Sequence, residues 1–192
     1  MKAYKDFIVS PIGERYNNSK KIGDKNLILN TEVYNHQFVN RTAKVIATPL
    51  LFSSPINVGD EVIIHHNVFR RWHDVKGRER NSSSYLEEDK YIISSDQIYL
   101  YKQKDKWKAV PGYSFIKPLE DVDKFSIEDE KPLVGVIKYT DGTFKKEELV
   151  GFRPSIQCED FINSERLYRV MNKFITIKYE YQGNEKEYNP SW

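Results

Sequence analysis

The sequence offers few side chains able to make or break a bond. Its single cysteine, Cys158, has no histidine near it in sequence and reads as a half-buried thiol rather than a nucleophile. His65 and His66 are adjacent on an expected strand, which sends their rings to opposite faces, while His36 and His73 fall in loops. No cysteine or carboxylate spacing completes a zinc set around them. Asp121-Val122-Asp123 and Glu128-Asp129-Glu130 have ligand types suited to a hard cation, but acidic runs in loops are ordinarily solvated. The expectation is no catalytic residue, no metal and no cofactor: a protein that is not an enzyme.

Two segments carry binding chemistry instead. Leu27-Ile28-Leu29 is an aliphatic island inside a stretch, roughly Glu14 to Asn40, that is otherwise rich in Asn, Lys and Gly. An exposed apolar cluster of this kind calls for a partner; the competing reading is one more short core strand. The second segment holds Arg70, Arg71, His73, Lys76, Arg78 and Arg80, with Phe69 and Trp72 among them. Phosphate pairing plus base stacking would suit single-stranded nucleic acid. The acidic Glu87-Glu88-Asp89 offsets that charge, and a solvated loop is the preferred reading. The Asn-x-Ser/Thr sequences at Asn17, Asn40 and Asn81 mean nothing without a secretory signal.

The elements that must position these segments are short. Runs of four to seven β-branched and aromatic residues recur between Gly, Pro, Asn and Asp clusters, among them Asp6–Val9, Lys44–Ala47, Glu61–Ile64, Gln97–Tyr101, Leu133–Ile137, Glu148–Phe152 and Phe174–Tyr179. No segment sustains an apolar stripe at helical spacing, and Glu159 to Asn163 has room for one helical turn at most. An all-β fold follows. Over 192 residues the 30 basic and 28 acidic side chains leave a net charge of +2, which excludes a polybasic nucleic-acid binder. Hydrophobic residues at 39% suffice for a core. No run is long enough for a transmembrane helix and the N-terminus lacks a signal-type apolar stretch, so a soluble, cytoplasmic protein is expected. Glu14–Asn40 and Val68–Tyr85 stand out as long structureless connections, which are usually functional or disordered.

The order of strands repeats. Phe7-Ile8-Val9, Lys44-Val45-Ile46, Val58–Ile64 and Lys90–Tyr99 in the first half match Phe115–Leu119, Gly135–Lys138, Glu148–Phe152 and Arg166–Thr176 in the second. Two small β-barrels in tandem are expected, over 1–103 and 112–192, joined near Lys104 to Gly112.

The first half resembles the GroES-type co-chaperonin family. The resemblance rests on Asp6-Phe7-Ile8-Val9, Leu27-Ile28-Leu29, Lys44-Val45-Ile46, Val58-Gly59-Asp60-Glu61-Val62-Ile63-Ile64 and Ser95-Asp96-Gln97-Ile98, in that order. It covers about residues 4 to 102, and the second half looks like a degenerate copy. The family's paired glycines before the aliphatic tripeptide are absent, with Asp24-Lys25-Asn26 in their place, and its hairpin after the Val-Gly-Asp strand is replaced by Val68–Tyr85. The medium-chain alcohol dehydrogenases also contain a GroES-like domain, but they need a Gly-x-Gly-x-x-Gly nucleotide domain that this sequence lacks.

The resemblance implies a lid for a GroEL-type chaperonin ring. Leu27, Ile28 and Leu29, on a long mobile loop, would dock in an apolar groove of the chaperonin's apical domain. Burying each would yield roughly 1.5–3 kcal/mol, against about 1–2 kcal/mol for each loop residue ordered. One loop is near break-even, and several on one homo-oligomeric ring bind well through effective concentration. One loop per chain suggests a seven-chain ring, with the basic segment Arg70–Arg80 near its roof. Tandem units and strong divergence fit a phage-encoded form acting in the host cytoplasm. The alternative is a phage virion or assembly β-barrel protein that contacts nucleic acid through residues 69–80.

Overall fold

The computed structural model describes residues 2–16, 19–23, 25–28, 38–121, 129–154, 158–162 and 165–188. Among them there is no α-helix; short strands carry the fold, as the patterning requires. The chain divides into two units, Met1–Asp105 and Lys106–Trp192.

The first unit contains β1 (Phe7–Pro11), β2 (Ser19–Ile22), β3 (Lys25–Ile28), β4 (Thr42–Ala47) and β5 (Glu61–Ile64). After these come β6 (Arg71–His73), β7 (Glu79–Asn81), β8 (Tyr85–Glu87), β9 (Lys90–Ile93) and β10 (Ile98–Gln103). Its principal sheet runs β10-β5-β4-β1-β9-β8, and β2-β3 and β6-β7 form separate two-stranded sheets. Period-two burial is plainest in β4, where Ala43, Val45 and Ala47 point inward while Lys44 and Ile46 point out. Phe7, Val9, Ile64, Phe69, Tyr91 and Leu100 fill the core at 5% exposure or less. Each contributes roughly 1.5–3 kcal/mol by leaving water.

The second unit contains β11 (Lys106–Ala109), β12 (Tyr113–Glu120), β13 (Glu130–Thr140), β14 (Leu149–Phe152), β15 (Cys158–Ile162), β16 (Glu165–Met171) and β17 (Ile175–Tyr179). Its sheet runs β17-β14-β13-β12-β16-β15, the order of the first unit strand for strand. The register repeats as well. Val9 lies opposite Val45 and Pro11 opposite Ala43, with a bulge after Ile8. Ile116 lies opposite Ile137 and Pro118 opposite Gly135, with a bulge after Phe115. In both units a 3₁₀ turn, Ser95–Gln97 or Asn172–Phe174, leads into the closing strand. That strand then meets its neighbour through a further register shift.

Three hydrogen bonds of the turn before β5 are duplicated. Gly59 N–H donates to the Val45 carbonyl at 2.8 Å, and Val45 N–H donates to the Asp60 carbonyl at 2.9 Å. The Asp60 carboxylate accepts the Asn57 amide at 2.8 Å. In the second unit Glu147 N–H donates to Ile137 at 2.8 Å, Ile137 N–H to Glu148 at 3.0 Å, and the Glu148 carboxylate accepts the Lys145 amide at 3.2 Å. The turn needs a left-handed residue. Gly59 supplies it at φ +94°, whereas the copy forces Glu147 to φ +61°.

Three expectations are corrected. Residues 158–162 form strand β15, not a helical turn, because they pair along β16 from Cys158 opposite Arg169 to Ile162 opposite Glu165. Val68–Tyr85 is not structureless: Val68 and Phe69 are buried, and the β6–β7 hairpin follows. His65 and His66 do not face opposite ways. β5 stops at Ile64, the chain turns, and the two rings stack with centroids 4.3 Å apart.

Candidate functional site

The long segment between β1 and β4 leaves the sheet through a built stem. Asn40, only 4% exposed, donates from Nδ2 to the carbonyls of Ile12 and Glu14, both at 2.8 Å. Its Oδ1 accepts the Thr42 amide at 2.9 Å. Asn40 N–H in turn donates to the Arg15 carbonyl at 2.9 Å, and Tyr16 bridges to Val39. One amide side chain thus ties the outgoing strand to the returning one.

Beyond the stem stand β2 and β3, paired from Ser19 opposite Ile28 to Ile22 opposite Lys25. Gly23, directly after β2, takes φ +61°, the left-handed conformation that hairpin turns favour. Leu27 lies on β3, 52% exposed. It is therefore neither in the core nor on a wholly structureless loop. Of Ile28 the backbone alone is described, as the last residue of β3. Leu29 lies outside the described residues, as do His36 and Asn17.

The basic cluster is a hairpin docked on the same stem. Arg15 donates from Nε and Nη2 to the Phe69 carbonyl at 3.2 and 2.9 Å, and from Nη1 to Asn81 Oδ1 at 2.8 Å. The Arg71 amide donates to the Tyr16 hydroxyl at 2.6 Å, and the Arg71 guanidinium sits 4.9 Å over the Tyr16 ring. Ser82 Oγ donates to the Val68 carbonyl at 2.5 Å, closing the hairpin's foot. Arg71 pairs with Glu79 at 2.9 Å. Trp72 lies opposite Arg80, is 47% exposed, and donates from its indole N–H to the Asn81 carbonyl at 3.2 Å.

Asp74 organises the hairpin's tip. Its Oδ1 accepts the amides of Lys76 and Arg78, both at 2.9 Å, and its Oδ2 accepts Arg80 Nε and Nη2 at 3.2 and 3.1 Å. These donors, the Arg78 amide foremost, hold its carboxyl below the usual aspartate range. Gly77 at φ +72° completes the turn. The result is a hydrogen-bonded tip on which Val75, Lys76 and Arg78 are all exposed.

The structure thus brings Leu27 and the hairpin residues Arg71, Trp72, Lys76, Arg78 and Arg80 onto two arms rooted in one stem; Arg70, half-buried, lies at the hairpin's foot. Arg15, Tyr16, Asn40 and Asp74 escaped sequence reading. Only the Asp-x-x-Gly spacing of Asp74 and Gly77 signalled a turn; the others act through contacts across long stretches of chain.

Among the described residues no group of three or more metal-ligating side chains converges. Glu130 is engaged by the Tyr168 hydroxyl and by Arg166, at 3.4 Å. Residues 122–128, with Asp123 and Glu128, lie outside the described residues, and Cys158 enters only as a backbone position of β15. No helix among the described residues is long and apolar enough to cross a membrane. The chain matches no protein-family model, and no curated protein or solved structure is found similar to it.

Proposed function

We propose that the chain is a co-chaperonin of the GroES type, a non-enzymatic lid that docks on the apical domains of an ATP-driven chaperonin ring. The observation that carries this reading is the exposed Leu27 on a hairpin outside the principal sheet, raised on a clamped stem between β1 and β4. A core strand would bury that leucine. Because β2 and β3 are already paired, fewer backbone torsions remain to be fixed on docking. Each docked aliphatic side chain then contributes roughly 1.5–3 kcal/mol. Contacts this weak act together when several chains form a ring, for which seven copies remain our expectation, and they release when the chaperonin changes state. The second unit repeats the sheet but joins β12 to β13 by a short connection, with Glu120 opposite Glu130. It would extend the wall of the lid, working in the cytoplasm (the host's, for a phage-encoded chain).

Native mass spectrometry of the protein, alone and with a bacterial GroEL-type chaperonin with and without ATP, tests the reading. A homo-oligomer that joins the chaperonin only with nucleotide, and a Leu27→Asp variant that keeps its own assembly but loses the complex, are the expected results. A Leu27→Asp variant that binds like the wild type would overturn the reading. Absence of any complex would shift preference to the virion or assembly protein.

A further inference from the structure

We infer that the β6–β7 hairpin is a second docking arm, electrostatic where the first is apolar, and that it meets an acidic surface beside the groove that takes Leu27. The inference rests on the co-chaperonin reading and names the chemistry of the partner's surface.

Three observations carry it. The first is composition: Arg70 to Arg80 contains five basic side chains against two acidic ones. The second is preorganisation. Asp74 fixes the tip through two backbone amides and the Arg80 guanidinium. Val75, Lys76 and Arg78 are therefore presented on an ordered turn, which lowers the entropy cost of binding. The third is placement. Arg71, the first residue of β6, is bonded through its amide to Tyr16, and β2 begins three residues after Tyr16. At about 3.3–3.6 Å per residue the chain from Tyr16 to β2 spans about 10 Å at most, and with the length of the tyrosine side chain added the two arms leave the body within roughly 20 Å of each other. One partner face would meet both.

The chemistry favours protein over nucleic acid. Two of the guanidiniums are already engaged, Arg71 by Glu79 and Arg80 by Asp74. The Trp72 indole N–H is engaged by the Asn81 carbonyl. What the tip presents is one exposed aliphatic side chain, Val75, on the same turn as the exposed cations Lys76 and Arg78, which matches an apolar contact flanked by carboxylates. Such a rim sets orientation and association rate more than it sets affinity.

The test compares the wild-type chain with Lys76→Glu/Arg78→Glu on a bacterial GroEL-type chaperonin with ATP, at about 50 and about 300 mM salt. Both substitutions lie outside the Asp74 contacts made by side chains, and circular dichroism checks the fold. Wild-type binding should weaken about tenfold across that range, and the variant should bind about tenfold more weakly at low salt with little further loss. A variant with wild-type affinity and salt response would overturn the second arm while leaving the Leu27 arm standing. Failure of the wild-type chain to bind at either salt would remove both. A fluorescent oligothymidylate binding the wild type but not the variant would make the hairpin a nucleic-acid arm and overturn the inference.

Discussion

Asn40 offers the most direct test of the stem. Its side chain is buried and makes three hydrogen bonds, donating twice to Ile12 and Glu14 and accepting once from Thr42. Asn40→Ala strands two carbonyls and an amide where water has little access. At about 1 kcal/mol for each stranded group, the first unit should lose about 3 kcal/mol. Asn40→Asp separates hydrogen bonding from shape. The carboxylate is isosteric and still accepts from Thr42, but it turns an anion toward two carbonyl oxygens. Burial and that repulsion raise its folded-state pKa above the unfolded value of about 3.9. A raised pKa gives stability that is fully present below the unfolded value and lost as pH rises through the folded one. The aspartate variant should therefore be at least as unstable as the alanine at pH 7 and recover on acidification. Urea unfolding at several pH values, with hydrogen exchange at the Thr42 amide, measures this. An aspartate variant with wild-type stability at pH 7 would refute the donor role given to Nδ2 and with it the account of the stem.

Three further outcomes follow from geometry already described. A Cβ built at Gly135 would lie 2.3 Å from the Lys117 carbonyl oxygen and 2.6 Å from Ile116 Cγ2. Gly135→Ala should therefore cost about 3 kcal/mol or unfold the second unit, and a mild effect in chemical denaturation would show the β12–β13 register to be misassigned. In the duplicated turn, Gly59→Ala should lower the stability read from urea unfolding by about 1–2 kcal/mol. Glu147→Gly should stay within about 1 kcal/mol of wild type, since released strain offsets added chain entropy. Equal losses would contradict the equivalence of the two turns. Asp74 has a depressed pKa, so its contribution is present above the ordinary aspartate value and lost as pH falls through the lower folded one. The Lys76 and Arg78 amide resonances should hold their positions down to about pH 4 and shift together below it; movement near pH 6 would point to another group.

Strands whose burial alternates, such as β4, and strands buried along their whole length, such as β14, were legible in the sequence because one chain segment carries the signal. So was the repeat of strand order, since Val58-Gly59-Asp60 and Lys146-Glu147-Glu148 occupy the same turn despite sharing no residue. Illegible were the strands that exist only by pairing: β6 and β7 have three residues each and no apolar alternation. They are held by Asp74 at the tip and by Arg15, which joins Asn81 of β7 to the Phe69 carbonyl. The stem was hidden for a related reason. Arg15 finds Asn81 across 66 positions of sequence, a distance no local pattern reports.

The bridge between Tyr16 and Val39 has a consequence for how such a protein changes over generations. Chain inserted beyond a closed stem alters only the closure entropy, and doubling its length costs about 0.6 kcal/mol. Reach is thereby uncoupled from folding. A lineage could lengthen, shorten or rewrite the segment between those two residues while β1 and β4 keep the same register and the sheet registers nothing.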